Sequence, residues 1–164
     1  MNLPIELVIL NPEIEEYGLP TWATTGSAGM DLRALNDAEL YPGEQAEFPL
    51  GFAISLPFGT FALLAPRSSL GVQRIHLSNL VGIIDSDYQG EILVNLTNNS
   101  RHPEPFKIKK GNRIAQLVIL PFAHAAWNVV PNFTYETDRG SGGFGSTGAG
   151  YCFIMQFLGY IILG

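Results

Sequence analysis

Hydrophobic residues in this chain come in short runs rather than long amphipathic stripes. Ile5, Leu7 and Ile9 alternate with other residues, as a half-buried strand requires. Residues 11–20 carry Pro12, Gly18 and Pro20 and are expected to be loop. Residues 48–56 read as one strand in which Phe52, Ile54 and Leu56 alternate, and residues 57–59 (PFG) read as a turn. Further strand-length runs lie at 61–65, 80–84, 91–97 and 114–120, each bounded by Gly, Pro, Asn or Asp. Short strands separated by turns predict an all-β sandwich or barrel. One short helix is expected, at 68–75, where the Arg-Ser-Ser start offers hydroxyl caps and backbone N–H groups suited to an anion. No repeat at solenoid spacing and no interdomain linker stands out. Two segments break the pattern: 139–150 is glycine-rich, and 151–164 (YCFIMQFLGYIILG) turns abruptly apolar.

Composition narrows the class. A length of 164 residues predicts one domain, and 46% apolar with 15% charged residues excludes a disordered or solvating chain. Eighteen Gly and eleven Pro fit a turn-rich β-protein. The net charge of −6, with only a small basic group at Lys107, Lys109 and Lys110, argues against a general nucleic-acid binder. A polyanion would have to be gripped by a few Arg side chains and backbone N–H groups. Cys152 is the single cysteine, so no internal disulfide is expected, and His76, His102 and His124 lack metal-ligand spacing. The apolar run near the N-terminus lacks a preceding basic segment and reads as a strand rather than a signal peptide, so a cytoplasmic protein is expected.

Candidate chemistry concentrates in four segments. PRSSLG at 66–71 sets a guanidinium beside two hydroxyls at a strand-to-helix turn, matched to phosphate oxygens. On local sequence alone, a capped helix with a surface Arg explains it slightly better. SNLVGIIDSDYQGEI at 78–92 places two apolar strands around a turn with Asp85, Asp87, Tyr88 and Gly90. Such a hairpin can read a base edge with its backbone, stack an aromatic on a sugar, and offer a carboxylate as general base. Asp, Ser and Gly are also ordinary turn residues, and periodicity does not choose between Asp85 and Asp87. Arg113 and Gln116 interrupt an apolar strand, where an amide more often satisfies buried backbone than phosphate. RGSGGFGSTG at 139–148 combines Arg139, Phe144, Ser146 and Thr147 with glycines able to close over a ligand; a disordered tail is the competing reading. It lacks the Gly-Lys-Ser/Thr ending of a P-loop.

Together with AGMDLRA at 28–34, these segments resemble, in order, the five motifs of the dUTPase family, over residues 5 to 148 and most closely as in bacterial members. The resemblance implies a jelly-roll-like β-barrel subunit (the dUTPase-like β-clip) in a homotrimer with shared active sites. It implies a β-barrel domain at 1–138, a flexible lid at 139–150 and an atypical tail at 151–164. Arg67, Ser68, the backbone of Ser69 and Gln116 would hold the α- and β-phosphates. Asn79 and the backbone around Ile83, Ile84 and Leu93 would read uracil, and Tyr88 would pack under the deoxyribose. The resemblance selects Asp85 as the catalytic base, gives Asp31 a supporting role at the magnesium–phosphate end, and makes Arg139, Phe144, Ser146 and Thr147 the lid.

The implied reaction is hydrolysis of dUTP to dUMP and pyrophosphate, with Mg²⁺ held by phosphates and water rather than by protein ligands. That would limit uracil in DNA and supply dUMP for thymidylate synthesis. Ser69 and Ser78 stand where family members often have Gly. Residues 151–164 are too short for a membrane span of about 20 residues. They rank first as a read-through or frame-altered end, then as an extra packed strand, and last as a membrane-touching anchor. Two rivals are a dCTP deaminase, for which no suitably placed Glu is seen, and a catalytically silent trimeric nucleotide sensor.

Overall fold

The computed structural model describes residues 3–143. The chain divides into two units, Met1–His124 and Ala125–Gly164. The first carries β1 (Glu6–Ile9), α1 (Ile14–Tyr17), β2 (Thr21–Trp22), β3 (Met30–Arg33), β4 (Ala38–Leu40), β5 (Gln45–Pro49), β6 (Phe52–Ser55) and β7 (Thr60–Pro66). It continues through α2 (Ser68–Val72), β8 (Ile75–Leu77), β9 (Gly82–Ile84), β10 (Leu93–Asn98), β11 (Phe106–Ile108) and β12 (Arg113–Pro121).

The mostly β expectation holds, but the closed barrel does not. Among the described residues every pairing is antiparallel, and the strands fall into four sheets: β1-β6, β5-β10-β8, β11-β4 and β2-β3-β12-β7-β9. The larger two sheets have open strand orders, each with two edge strands. The apolar faces still converge on one core, in which Phe48, Phe52, Leu32, Ile75, Ile92, Leu96, Ile114 and Leu117 are fully buried. Asn98 is buried with them and is satisfied: its amide donates to Leu40 O at 2.7 Å and its Oδ1 accepts from Ser100 N at 2.9 Å.

Two local expectations are corrected. The single helix becomes two, because α1 forms inside the stretch expected as loop. The Asn11 side chain accepts the Glu13 N–H at 3.0 Å, Ile14 anchors the turn in the core at 4% exposure, and Gly18 N–H closes it on Ile14 O at 2.8 Å. The α2 helix also stops before residue 75, where Arg74 takes a left-handed φ of 61°, and its start has no side-chain cap. The run at 48–56 is two strands in different sheets. Burial alternates up to Leu50 and is then continuous through Gly51, Phe52, Ala53 and Ile54, with the break at Gly51, where φ is 75°.

A Cβ at residue 51 would lie 2.7 Å from Leu35 Cδ1 and 3.0 Å from Asn11 Cβ. Gly51→Ala is therefore expected to cost about 1–3 kcal/mol, combining left-handed strain with overpacking. Urea unfolding checks this; an unchanged midpoint would contradict it.

In the second unit, described residues 125–143 form turns and extended chain. Trp127, Val129 and Phe133 there are 90%, 94% and 91% exposed.

Candidate active site

The end of the five-stranded sheet where β7 finishes gathers one group of polar residues. Antiparallel register sets Gln116 of β12 opposite both Asp31 of β3 and Ala65 of β7, and Arg67 follows β7 directly. Asp31 is only 9% exposed, yet both its oxygens face cations: Oδ1 lies 3.0 Å from Arg67 Nε and Oδ2 lies 3.2 Å from Arg113 Nη1. A buried carboxylate is tolerable only with such compensation. The Arg67 contact is ionic rather than a well-aligned hydrogen bond, since its Nε–H finds no acceptor in line. Arg67 Nη1 instead donates to Arg113 O at 3.4 Å.

Two guanidiniums on one carboxylate leave this cluster with surplus positive charge. The adjoining cleft, about 310 Å³, is lined by Ser27, Gly29, Asp31, Arg67 and Gln116 among others. Gly29 keeps the Gln116 amide in place: a Cβ there would sit 3.1 Å from its Oε1. Ser68 and Ser69 open α2 and are exposed; first-turn N–H groups have no partner within a helix.

A second group lies on the segment between β9 and β10. The two arms of this hairpin do not pair with each other: β9 pairs with β7, and β10 with β5 and β8. Their facing backbone is thus not consumed by a mutual ladder, as reading a planar base edge requires. Leu80 adopts a left-handed φ of 66°, and Val81 N–H turns back to Asn79 O at 2.8 Å, so the arm enters through a strained turn. Gly82 is packed so closely on Leu64 that a Cβ would be 2.9 Å from its Cβ, with Asn79 Nδ2 3.7 Å from the same point. Ile83 is 65% exposed, Leu93 is exposed and Ile84 half-buried.

At the tip, Asp85 and Asp87 are both exposed. Tyr88 is fixed at both ends: its N–H reaches Asp85 O at 3.2 Å and its hydroxyl donates to Glu91 O at 2.9 Å. Its ring lies over Gly90, where a Cβ would be 2.5 Å from the hydroxyl.

The two groups stand apart. Ala62 faces Ile84, so Asp85 follows β9 near the start of β7, abreast of Phe61, while Arg67 follows the other end of β7. At strand rise, that separation is roughly 20 Å. Arg139 belongs to the second unit, where its Nε donates to Gly142 O at 3.0 Å. Phe144, Ser146, Thr147 and the tail at 151–164 lie outside the described residues. Arg113, treated from sequence only as a polar interruption of a strand, is an integral member of the first group. Its signal was indirect: a buried acid in β3 demands more cation than one shared arginine supplies.

The dUTPase family profile matches residues 15–148. The chain is 49% identical to the deoxyuridine 5'-triphosphate nucleotidohydrolase of Shewanella pealeana, over 90% of this chain and 99% of the relative. It is 51% identical to that of Burkholderia cenocepacia, over 89% and 99%. Among solved structures, the G164S mutant of the Staphylococcus bacteriophage 80alpha dUTPase with dUpNHpp superposes with a TM-score of 0.78 at 26% identity, covering 89% of this chain and 99% of that one.

Proposed function

The chain belongs to the dUTPase family, which hydrolyses dUTP to dUMP, and from that premise we propose how its own residues carry out the reaction. Asp85 accepts a proton from a water whose oxygen attacks the α-phosphorus. The bond from that phosphorus to the bridging oxygen breaks, and pyrophosphate leaves with the electron pair. Arg67, Ser68, the Ser69 N–H and Gln116 hold the phosphates, and positioning and charge neutralisation supply most of the rate. Asn79 and the open backbone at Ile83, Ile84 and Leu93 accept the uracil edge, with Tyr88 against the sugar. Arg139, Phe144, Ser146 and Thr147 close the site.

The observation that carries this assignment is the unpaired hairpin presenting exposed Asp85 beside an anchored Tyr88. Both oxygens of Asp31 are engaged by arginines, so the first group fits phosphate rather than a bare cation. Magnesium, when bound, neutralises triphosphate charge, and the chain's part is to hold the phosphates that ligate it.

A separation of roughly 20 Å between Arg67 and Asp85 exceeds what one α-phosphate can bridge, which supports a homotrimer whose sites combine residues of different subunits. An exposed apolar groove lined by Ile5, Leu7, Trp22, Met30 and Ile119 supports subunit contact as well. Among the described residues no helix is long and apolar enough to cross a membrane. The lone cysteine suits the reducing cytoplasm, where we place the enzyme.

With Mg²⁺ present, pyrophosphate release is expected from dUTP and not from dTTP, dCTP or UTP. Ammonia release from dCTP, or silence toward dUTP, would overturn the assignment.

A further inference from the structure

Arg113 holds Arg67 by two routes. Its side chain occupies Asp31 Oδ2 at 3.2 Å, and its own carbonyl accepts from Arg67 Nη1 at 3.4 Å. The backbone route survives any substitution at 113, whereas the side-chain route does not. Counting formal charges, Arg67, Arg113 and Asp31 sum to +1, and without Arg113 they sum to zero. Asp31 would then be neutralised by Arg67 alone, and the guanidinium meant for phosphate would be spent on a buried carboxylate. Arg33 also lines the cleft shared by Arg67 and Arg113, but its Nη1 is committed to Gly111 O at 2.8 Å. Arg113 is 44% exposed, which leaves it able to act on the field of the cleft while anchored at one nitrogen.

We infer that Arg113 is a positioning residue, which takes up the charge of Asp31 so that Arg67 stays available to the triphosphate. This rests on the proposed hydrolysis of dUTP with Arg67 at the phosphates. It goes further by assigning a residue whose effect is electrostatic and passes through Asp31.

The test combines Arg113→Gln, Arg113→Lys and the double variant Arg113→Gln/Asp31→Asn. Each is assayed for KM and kcat on dUTP with Mg²⁺ and, by calorimetry, for affinity toward inorganic tripolyphosphate. Arg113→Gln should raise KM and weaken tripolyphosphate about tenfold at low salt, as loss of one partly screened charge at close range predicts, with kcat changed far less. Arg113→Lys should stay within about threefold of the parent, because charge rather than fork geometry is at stake. Removing the Asp31 charge in the Arg113→Gln background should recover most of the lost affinity, a rescue that a merely structural role would not give.

An unchanged KM in Arg113→Gln, or a double variant worse than the single, overturns the inference. A tenfold loss in Arg113→Lys also overturns it, by making residue 113 a direct phosphate ligand. If Arg113→Gln does not fold, Arg113→Met takes its place, with the same tenfold loss expected and an unchanged tripolyphosphate affinity overturning the inference. If the parent leaves dUTP intact, the hydrolysis proposal fails by itself, and tripolyphosphate affinity still decides the role of Arg113.

Discussion

Asp85→Asn is expected to lower kcat for dUTP by about 10³-fold, within the range that general-base catalysis contributes. Asn keeps the size of the side chain and can still touch a water, but it cannot take the proton that attack on phosphorus releases. Asp85 is exposed at the tip of the hairpin and makes no side-chain hydrogen bond to the described residues, so the substitution leaves the fold alone. Only the Asp85 carbonyl is engaged, by Tyr88 N–H at 3.2 Å. Binding of a non-hydrolysable dUTP analogue should therefore be retained while pyrophosphate release collapses. Asp87→Asn is the companion control and should turn over nearly normally. If the two variants behave alike, or if Asp87→Asn carries the loss, the base has been assigned wrongly.

Arg67→Ala is expected to reduce kcat/KM for dUTP by about 10²–10³-fold, the usual effect of deleting a donor aimed at developing charge. Two losses combine. The planar fork that meets phosphate disappears, and Asp31, buried beside the cleft, is left with Arg113 as its only cation. The cluster then sums to zero, where with Arg67 it met the negative substrate at +1. Arg67→Lys should recover only part of the activity, since an ammonium restores charge without the paired donors. Asp31 keeps its 3.2 Å contact with Arg113, so melting should shift much less than activity. Steady-state kinetics and thermal unfolding on the same preparations separate these effects; a kcat/KM near that of the parent would remove Arg67 from the phosphate site.

Much of the fold was legible in local pattern, because a strand with one buried face must alternate. Val94 and Leu96 are buried within β10 while Leu93 is exposed, as alternation predicts. The same rule misled at 48–56, where alternating large hydrophobic residues continue across Gly51 although burial there is continuous and the backbone changes sheet. Periodicity reports which side of the chain is wet and carries no information about which strand lies alongside. For that reason it left sandwich and barrel both open; the barrel came from the family resemblance, and the pairings leave open sheets. Helix α1 was hidden for the opposite reason: one turn is too short to establish a 3.6-residue period, and its stability comes from the Asn11 side chain and the buried Ile14.

The site was legible in its parts and not in their arrangement. Asp31, Arg67 and Gln116 lie far apart in sequence and meet because β3, β12 and β7 are neighbours. Arg113 went unrecognised because its function depends on a carboxylate from a distant strand. Local residues did not separate Asp85 from Asp87, and the geometry leaves both exposed. Family likeness is what distinguishes them.

The placement of Arg67 and Asp85 at opposite ends of β7 has a genetic consequence. If each working site draws these residues from different copies of the chain, a fault is not confined to the copy that carries it. Two defective alleles, one lacking Arg67 and the other Asp85, would restore some activity when expressed in the same cell, because mixed assemblies rebuild intact sites. A single defective allele beside a normal one would, by the same sharing, silence sites to which the normal copies contribute.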